Sequence, residues 1–435
     1  MNKIAVVAVL GVAITAAVMP AVSGYVAENV TNQMVARLNA SKEKFGKLRV
    51  IAYQRGYRSS NSSYEWGPRA ASAGSKRPAL LFDCHGQHGL LSYSYQCKAQ
   101  DLQSYSDVVK RELGGFDPLT VSGKVSVFGE VTQRLSVQNF ELQQASGQTI
   151  TIYPGALTVV TDGTFSEFAL NGKFAGLDSG GKSGTVQVGN MTVAGNLRIN
   201  QHDLAIGDLS FMFESAKLGQ QPEDSLIISG LTLNTRSEEE GTKISIGYQL
   251  GVSDFVYRQQ QALPVDLRDM QMDFQLNGIA MQKMGILIKK LLALRAQADS
   301  NNNAYFLAML PDLEALLKPG LAMQTRFSAE YLSQPVLSEI DLTLLGKLSF
   351  ADYLLLRVSP SSVFAKIKAS MNTQLPQLLL ENHPPLKNAV LNNAWYSKTA
   401  TGYGVEFHME DTEINLNGQQ IGVDELLGLI RRPSG

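Results

Sequence analysis

The segment TKISIGYQLGVSDFVY, residues 242–257, decides the fold class. Its apolar side chains recur at every second position from Ile244 to Val252, and this period of two is that of a β-strand with one buried face. Similar runs, separated by Gly, Asn or Asp at intervals of roughly 8–15 residues, fill the chain between about residues 79 and 275. No βαβ alternation interrupts them, so we predict a long antiparallel meander whose two faces differ in polarity.

Helical periodicity appears on the C-terminal side of this region. It predicts helices over Met281–Gln297, Ala304–Leu317, Ser361–Glu381 (kinked or ended near Pro376) and Val423–Arg431. Strand-like segments lie between them, and the Ser-, Gly- and Pro-rich residues 59–78 are typical of a loop. The fold class is therefore α+β, dominated by a long antiparallel β-sheet with a few packed helices and an N-terminal transmembrane helix.

The N-terminus predicts export. No charged residue occurs between Lys3 and Glu28, and the apolar segment Ile4–Val22 has the length of a membrane-spanning helix. We expect an uncleaved anchor that leaves the body outside the cytoplasm, with residues 4–27 in the bacterial inner membrane. Cleavage after Ser23, where Ala21 and Ser23 are suitably small, and a buried helix are the alternatives.

These patterns divide the chain into four parts. Residues 1–27 are the membrane anchor or signal peptide, and residues 28–58 are an amphipathic stalk and a first strand. Residues 59–280 form a β-rich periplasmic region, and residues 281–435 form a mixed α+β C-terminal region.

Charge and composition exclude some functions. The 435 residues include 38 basic and 39 acidic ones, for a net charge of −1, and 44% of the residues are hydrophobic. The hydrophobic content is high enough for the chain to fold. The near-zero net charge gives no electrostatic field that would attract a polyanion. Because no basic run is interleaved with aromatic residues, we expect no nucleic-acid partner.

The two cysteines, Cys84 and Cys97, favour a disulfide in an oxidising compartment. The stretch FDCHGQHGL, residues 82–90, resembles a hairpin turn centred on Gln87, which would place Cys84 opposite Leu90. In an unbroken hairpin of that register Cys97 lies beyond disulfide reach. We expect the disulfide, and with it a bulge or break in the strand.

The stretch GLDSGGKS, residues 176–183, matches the pattern of a phosphate-binding loop. Such a loop needs a helix after it, whose N-terminus binds the phosphates. The residues that follow, GTVQVGNMTV, are β-branched and rich in glycine, and they favour a strand. We therefore predict a turn at Gly180 and Gly181, no helix after it, and no nucleotide or other cofactor.

Catalytic and metal-binding patterns are weak. A Zn²⁺ site could consist of Cys84, His85, His88 and Cys97. It would need both cysteines as thiolates, and a disulfide between them precludes that. No nucleophile motif is present, and we assign no catalytic residue. The alternative is an exported enzyme in which some of four histidines meet carboxylates in a pocket; these are His85, His88, His202 and His408.

Several short motifs resemble the YdgA-like family of bacterial envelope proteins of unknown function. The matching residues are Tyr53, Arg55, Gly56, Ser59, Ser60, His85, Gly86, Asn417 and Gly418. The resemblance implies an inner-membrane anchor with a periplasmic β-rich body, and it supplies no mechanism. Gln87, where the family has proline, and the cysteine pair depart from its pattern.

The expected function is that of a non-catalytic envelope protein. Its extended sheet would bind a protein partner, a second copy of the chain, or an apolar or lipid ligand. By analogy of architecture alone, a curved sheet with an apolar groove would be similar to AsmA-type lipid-transfer proteins.

Overall fold

The computed structural model describes residues 19–33, 35–36, 47–67, 80–100, 118–143, 147–181, 184–221, 224–258, 264–295, 309–356 and 358–431. The chain divides into two compact units. Unit 1 comprises Met1–Lys182 and Asn190–Arg198, and unit 2 comprises Ser183–Gly189 and Ile199–Gly435. Both consist mainly of antiparallel β-sheet, as the alternation of residues 242–257 predicts.

Unit 1 is a meander of short strands. Strands β1 to β6, then β9, β10 and β13, pair in that order, and β7, β8 and β11 pair separately. The strands are β1 Lys47–Arg55, β2 Ser59–Gly67, β3 Leu80–His88, β4 Ser92–Gln100, β5 Leu119–Ser126, β6 Val131–Val137, β7 Phe140–Gln143, β8 Thr149–Ile152, β9 Gly155–Thr161, β10 Glu167–Phe174, β11 Leu177–Gly181 and β13 Met191–Ile199. A helix over residues 19–33, here called the N-terminal helix, packs on this meander.

Unit 2 contains the longest strands. β12 Gly184–Val188 pairs with β14, and pairing then continues in chain order to β20, then through β22, β23 and β24. The other strands are β14 Ala205–Gln221, β15 Asp224–Glu240, β16 Lys243–Arg258, β17 Val265–Ala280, β18 Ala322–Tyr331, β19 Gln334–Leu344, β20 Ile367–Pro376, β21 Ser397–Lys398, β22 Gly402–Glu410, β23 Glu413–Leu416 and β24 Gln419–Ile421.

The helices of unit 2 cover the ends of its sheet. They are Met281–Arg295, residues 309–314, Phe350–Leu355, Pro360–Phe364, Gln377–Asn382, Pro384–Leu391 and Val423–Arg431. The first packs beside Ile244 and Ile279, and the last packs through Leu426 beside Phe407. The predicted helices at 281 and 423 are confirmed, and residues 304–308 of the predicted 304–317 helix lie outside the described residues.

Two predictions of local structure are wrong. Residues 59–67 are strand β2 rather than loop, because β1 and β3 pair on either side and fix their serines in an extended register. The helix predicted over 361–381 is instead two short helices around strand β20, which pairs with β19 and β22. Pairing with segments distant in the sequence overrides local helical spacing here.

The GLDSGGKS stretch is not a phosphate-binding loop. Strand β12 begins at Gly184, so the predicted absence of a helix is confirmed. Gly180 and Gly181 lie in strand β11, paired with β8, so the turn predicted at these glycines is wrong. Lys182 and Ser183 lie outside the described residues. Strand geometry on both sides removes the helix N-terminus that phosphate binding requires.

One buried carboxylate stabilises unit 2. Asp352 is 5% exposed, and its Oδ2 accepts hydrogen bonds from the backbone N (2.8 Å) and Oγ (2.9 Å) of Ser349. Its Oδ1 lies 2.6 Å from Lys366 Nζ. The hydrogen bond from Lys366, followed by the one from the Ser349 backbone, lowers the pKa of Asp352. The ionised side chain thus caps the helix Phe350–Leu355.

We expect Asp352→Ala to lower the unfolding free energy of unit 2 by about 1–3 kcal/mol, because a cap and the partner of Lys366 are lost. The folded pKa lies below the unfolded value of about 3.9, so this stabilisation is fully present above that pH and is lost as the pH falls through the folded pKa. Urea unfolding between pH 3 and 7 measures it. The exposed Glu413→Ala is the control, and an equal, pH-independent loss in both variants contradicts the prediction.

Candidate functional site

The N-terminal helix lies on the sheet of unit 1 through small residues. Ser23 and Ala27 are 1% and 0% exposed, and Val30 is 8% exposed. They form a flat strip against which Tyr93 and the neighbouring valines of β5 and β6 pack. This strip is therefore an internal surface of unit 1.

Specific contacts fix this helix. Ser23 Oγ donates to the carbonyl oxygen of Gly89 at 2.9 Å. Arg55 Nη1 lies 2.7 Å from Glu28 Oε2. A methyl group at Gly24 would come within 2.5 Å of the His88 ring, so the backbone approaches the imidazole as only glycine allows.

The C-terminal part of the predicted anchor lies in this helix. Ser23, Gly24 and Ala27 are buried against the protein's own strands, whereas Tyr25 is 63% exposed. Residues 4–18 lie outside the described residues. Among the residues that the structure describes, no helix has both the length and the apolar character that a membrane crossing requires. The segment expected as a stalk, from residue 28, continues the same packed helix to residue 33.

The first group of motif residues builds the β1–β2 hairpin under this helix. Gly56 N donates to the Ser59 carbonyl oxygen at 2.7 Å and closes the turn. Arg55 pairs across the hairpin with Ser60, whose Oγ donates to the Tyr93 hydroxyl at 3.0 Å. Tyr53 is on the same hairpin, and burial raises its pKa. These residues hold the N-terminal helix in place, and none has the geometry of a catalytic group.

His85 and Gly86 are consecutive residues of β3, so they face opposite sides of the sheet. A methyl group on Gly86 would come within 2.1 Å of the Tyr93 hydroxyl, so the absence of a side chain accommodates that ring. His85 Nδ1 lies 2.8 Å from Asn61 Oδ1 on the exposed face. His88 is buried on the same face as Tyr93, with the two ring centroids 5.5 Å apart.

The predicted disulfide is confirmed, and the predicted turn is wrong. Cys84 lies directly opposite Cys97 in the β3–β4 hairpin, with their Cα atoms 4.0 Å apart, and Sγ–Sγ bonding joins them. The turn falls at Leu90 and Leu91, about three residues later than expected, so β3 continues through Gln87. The disulfide and an unbroken hairpin therefore coexist.

A small cavity, the helix cavity, adjoins the disulfide. Its volume is about 240 Å³, and Tyr64, Tyr95 and both cysteines line it together with Thr31 and Val35. Burial raises the pKa of Tyr64 and of Tyr95, so both phenols stay neutral. The volume falls below the roughly 300–1,000 Å³ of most ligand sites, which favours a packing defect over a functional pocket.

The last motif pair forms a turn. Asn417 and Gly418 have φ values of 52° and 80°, which suit the tight hairpin between β23 and β24. The Asn417 side chain accepts from Glu406 N at 2.8 Å and donates to the Trp395 carbonyl oxygen at 2.8 Å. This asparagine thereby ties three segments of unit 2 together.

The four candidate histidines do not form a catalytic group within either unit. His85 and His88 lie on opposite faces of β3. In unit 2, His202 precedes β14, whereas His408 lies in β22 with its Nε2 3.7 Å from Glu410 Oε2. Among the described residues, no group of three or more His, Cys, Asp or Glu side chains could bind a metal ion. The disulfide also removes the thiolates that the Zn²⁺ alternative needs.

One face of the long strands of unit 2 is a surface with no assigned role. The register aligns alternate residues of β14 to β18 in cross-strand rows; one row is Phe211, Leu233, Leu250, Met272 and Phe327. With the adjacent rows these residues form the apolar face, which comprises Leu209, Phe211, Phe213, Leu231, Leu233, Tyr248, Leu250, Met272, Phe274 and Phe327.

The apolar face is accessible. Tyr248 and Met272 are 44% and 41% exposed, and the other members are half-buried. The opposite face carries polar residues at the intervening positions, among them Asn234, Gln249 and Gln275. Exposed apolar area of this extent commonly marks a site for another molecule.

Sequence patterns predicted that the sheet has two faces, but they missed which residues share one. Leu233 and Leu250 are 17 positions apart in the chain, and only the register of β15 and β16 places them side by side. The turn between these strands, at residues 241–242, was the available signal, because it sets that register.

Comparison with known proteins identifies a family. The model of a family described as "Bacterial protein of unknown function (DUF945)" matches residues 1–424, so the chain belongs to this family. No curated protein and no solved structure matches the chain.

Proposed function

We propose that this DUF945 protein is a non-catalytic binding protein of the bacterial cell envelope whose apolar face binds the acyl chain of a lipid. The accessible apolar rows of β14 to β18 carry this proposal, because they are where an apolar ligand gains most by leaving water. Strands of 16–17 residues extend roughly 50 Å.

Envelope location is part of the proposal. The disulfide Cys84–Cys97 supports an oxidising compartment, and the apolar segment Ile4–Val22 supports export. The proposed inner-membrane segment ends near Ser23, since Ser23, Ala27 and Val30 are buried in unit 1. The short motifs that resemble the YdgA-like proteins agree with this location. A mature chain that starts at Gly24 would contradict an uncleaved anchor.

A protein partner, or a second copy of the chain, is the competing occupant of the apolar face. Extended interfaces of this kind are apolar at their centres, as this face is. An exported enzyme is the other alternative, and the separation of His202 from His408 gives it no support within unit 2.

Two variants at adjacent positions of β16 test the lipid proposal. Leu250 lies on the apolar face and Gln249 on the polar one, so Leu250→Glu places a carboxylate where an acyl chain would lie. Desolvating that charge costs well over 1.4 kcal/mol, so we expect lipid binding to fall about tenfold or more. Gln249→Glu is expected to bind as the wild type does.

The measurement is native mass spectrometry and lipid extraction of the purified protein, followed by titration with a fluorescent fatty acid. Thermal unfolding of both variants checks that the fold is retained. Equal lipid content in the two variants, or none in the wild type, contradicts acyl-chain binding. In that event, dimers by sedimentation that Leu250→Glu disrupts would favour the second copy.

A further inference from the structure

Unit 1 contains a second surface of different chemistry, on the exposed face of strands β2 to β6. The register forms one row of polar residues across five strands, namely Asn61, His85, Gln96, Ser122 and Arg134. The adjacent row consists of Ser59, Gln87, Ser94, Lys124 and Thr132. Both rows consist of polar side chains, as is common for the solvent-facing side of an antiparallel sheet.

The residues of these rows on β3 to β6 line a cavity of about 610 Å³, here called the polar cleft, whereas Ser59 and Asn61 on β2 lie outside its lining. That volume lies within the roughly 300–1,000 Å³ of small-molecule sites. It is more than twice the volume of the helix cavity on the other face of the same sheet. The cleft is therefore large enough for a small polar molecule.

The polar cleft is cationic. Lys124 and Arg134 line it on neighbouring strands, and no carboxylate lines it. Among the described residues neither cation forms a salt bridge. Two carboxylates of this face lie outside the lining: Asp83, which accepts a hydrogen bond from Ser63 Oγ at 2.6 Å, and Glu130, two residues before Thr132. The lining of the cleft thus contains two cations and, among the described residues, no carboxylate.

Its hydrogen-bonding groups suit a hydroxylated ligand. Asn61 Oδ1 lies 2.8 Å from His85 Nδ1, so Nε2 is the ring nitrogen left for a ligand. The cleft is also lined by the amides of Gln87 and Gln96 and the hydroxyls of Ser94 and Ser122. Each of these groups can both donate and accept hydrogen bonds. The guanidinium of Arg134 presents paired donors that match the oxygens of a phosphate.

From this arrangement we infer that the polar cleft binds a phosphate ester that also carries hydroxyl groups. Arg134 and Lys124 contact the phosphate, and His85, Gln87 and Gln96 contact the hydroxyls. This site is separate from the proposed lipid site, since it lies in unit 1 and the apolar face lies in unit 2. Either can fail without the other.

Calorimetric titration of the purified protein with glycerol 3-phosphate tests the inference. We expect saturable binding that Arg134→Ala weakens about tenfold or more, because a charge-assisted bidentate contact is lost. Arg134→Lys keeps the charge and is expected to restore part of the affinity. The control Lys173→Ala removes an exposed cation of the same unit, on β10, and is expected to have no effect.

A second arm separates a free phosphate ester from a lipid headgroup. Vesicles of phosphatidylglycerol in phosphatidylcholine are compared with pure phosphatidylcholine in a sedimentation assay. Binding to the former that requires Arg134, together with weak binding of glycerol 3-phosphate, identifies the headgroup as the source. The inference is overturned if neither probe binds, or if Arg134→Ala binds as tightly as Lys173→Ala while both variants unfold at the wild-type temperature.

Discussion

Replacement of Tyr93 by alanine is expected to lower the free energy of unfolding of unit 1 by about 3–5 kcal/mol, the range for truncating a large buried aromatic side chain. Tyr93 is 3% exposed and lies under the N-terminal helix with Ala27 and Val30. Its ring stacks on Tyr95 with centroids 5.8 Å apart. Truncation leaves a cavity between the helix and the sheet, and it removes the partner of the Ser60 hydroxyl.

Hydrogen exchange measured by mass spectrometry separates the two units in this experiment. Peptides of unit 1, and above all residues 19–33, are expected to lose protection in Tyr93→Ala, while peptides of unit 2 keep it. Tyr93→Phe retains the ring and leaves buried Ser60 without its partner, which costs about 1–3 kcal/mol. Tyr57→Ala, at a tyrosine 51% exposed, is the matched control and is expected to change stability little. If Tyr93→Ala loses as little stability as this control, the Tyr93 ring does not stabilise the packing of the N-terminal helix on the sheet.

The second large effect concerns the disulfide. The double variant Cys84→Ala and Cys97→Ala is expected to lose about 3 kcal/mol of stability in unit 1, because the closed loop no longer restricts the unfolded chain. The sequence separation is 13 residues. Both cysteines are also buried, at 6% exposure each, so the lost packing adds to the effect.

A reducing agent supplies the internal control for this prediction. Urea unfolding of the wild type should shift to lower urea when the disulfide is reduced, and the double variant should not respond to the reductant. Unit 2 contains no cysteine and should unfold alike in all samples. If the double variant unfolds at the same urea concentration as the oxidised wild type, the disulfide contributes nothing to the stability of unit 1.

The sheet was predictable because its signal is local. Alternation in residues 242–257 specifies a strand whatever its neighbours are, and the same holds for the runs that became β5 to β10, β12, β13, β15, β18 and β19. The prediction for β20 was wrong because its structure depends on segments distant in the sequence. Its helical spacing over residues 367–376 is overruled by hydrogen bonds to β19 and β22, and β22 begins 26 residues after β20 ends.

The turn at the disulfide was misplaced because polarity is a poor guide to this hairpin. HGQH, residues 85–88, is polar and contains glycine, yet it lies within β3. The turn contains Leu90 and Leu91, each 53% exposed, at positions where turns usually have polar residues or glycine. A side chain at position 86 would clash with the ring of Tyr93, seven residues away. Rules that assign turns from short stretches of sequence do not consider such a contact.

Both proposed sites depend on the pairing register of neighbouring strands, which sequence patterns did not predict. Sequence patterns identified Leu250 as an inward-facing residue, but the row that joins it to Phe211 passes through three strands. The polar cleft was missed for the same reason. Arg134 and His85 are 49 positions apart and meet in one row through the pairing of β3 to β6.

The close approach of glycines to aromatic rings in unit 1 has a consequence for how this family varies. Gly86 faces Tyr93, and Gly123 faces the ring of Tyr95, where an added methyl group would come within 2.3 Å. Each pair therefore occupies one fixed volume, and a larger residue at either glycine is tolerable only if the ring opposite becomes smaller. Relatives should accordingly exchange these positions in pairs, and an alignment in which Gly86 and Tyr93 vary independently would belong to proteins with a differently packed N-terminal helix.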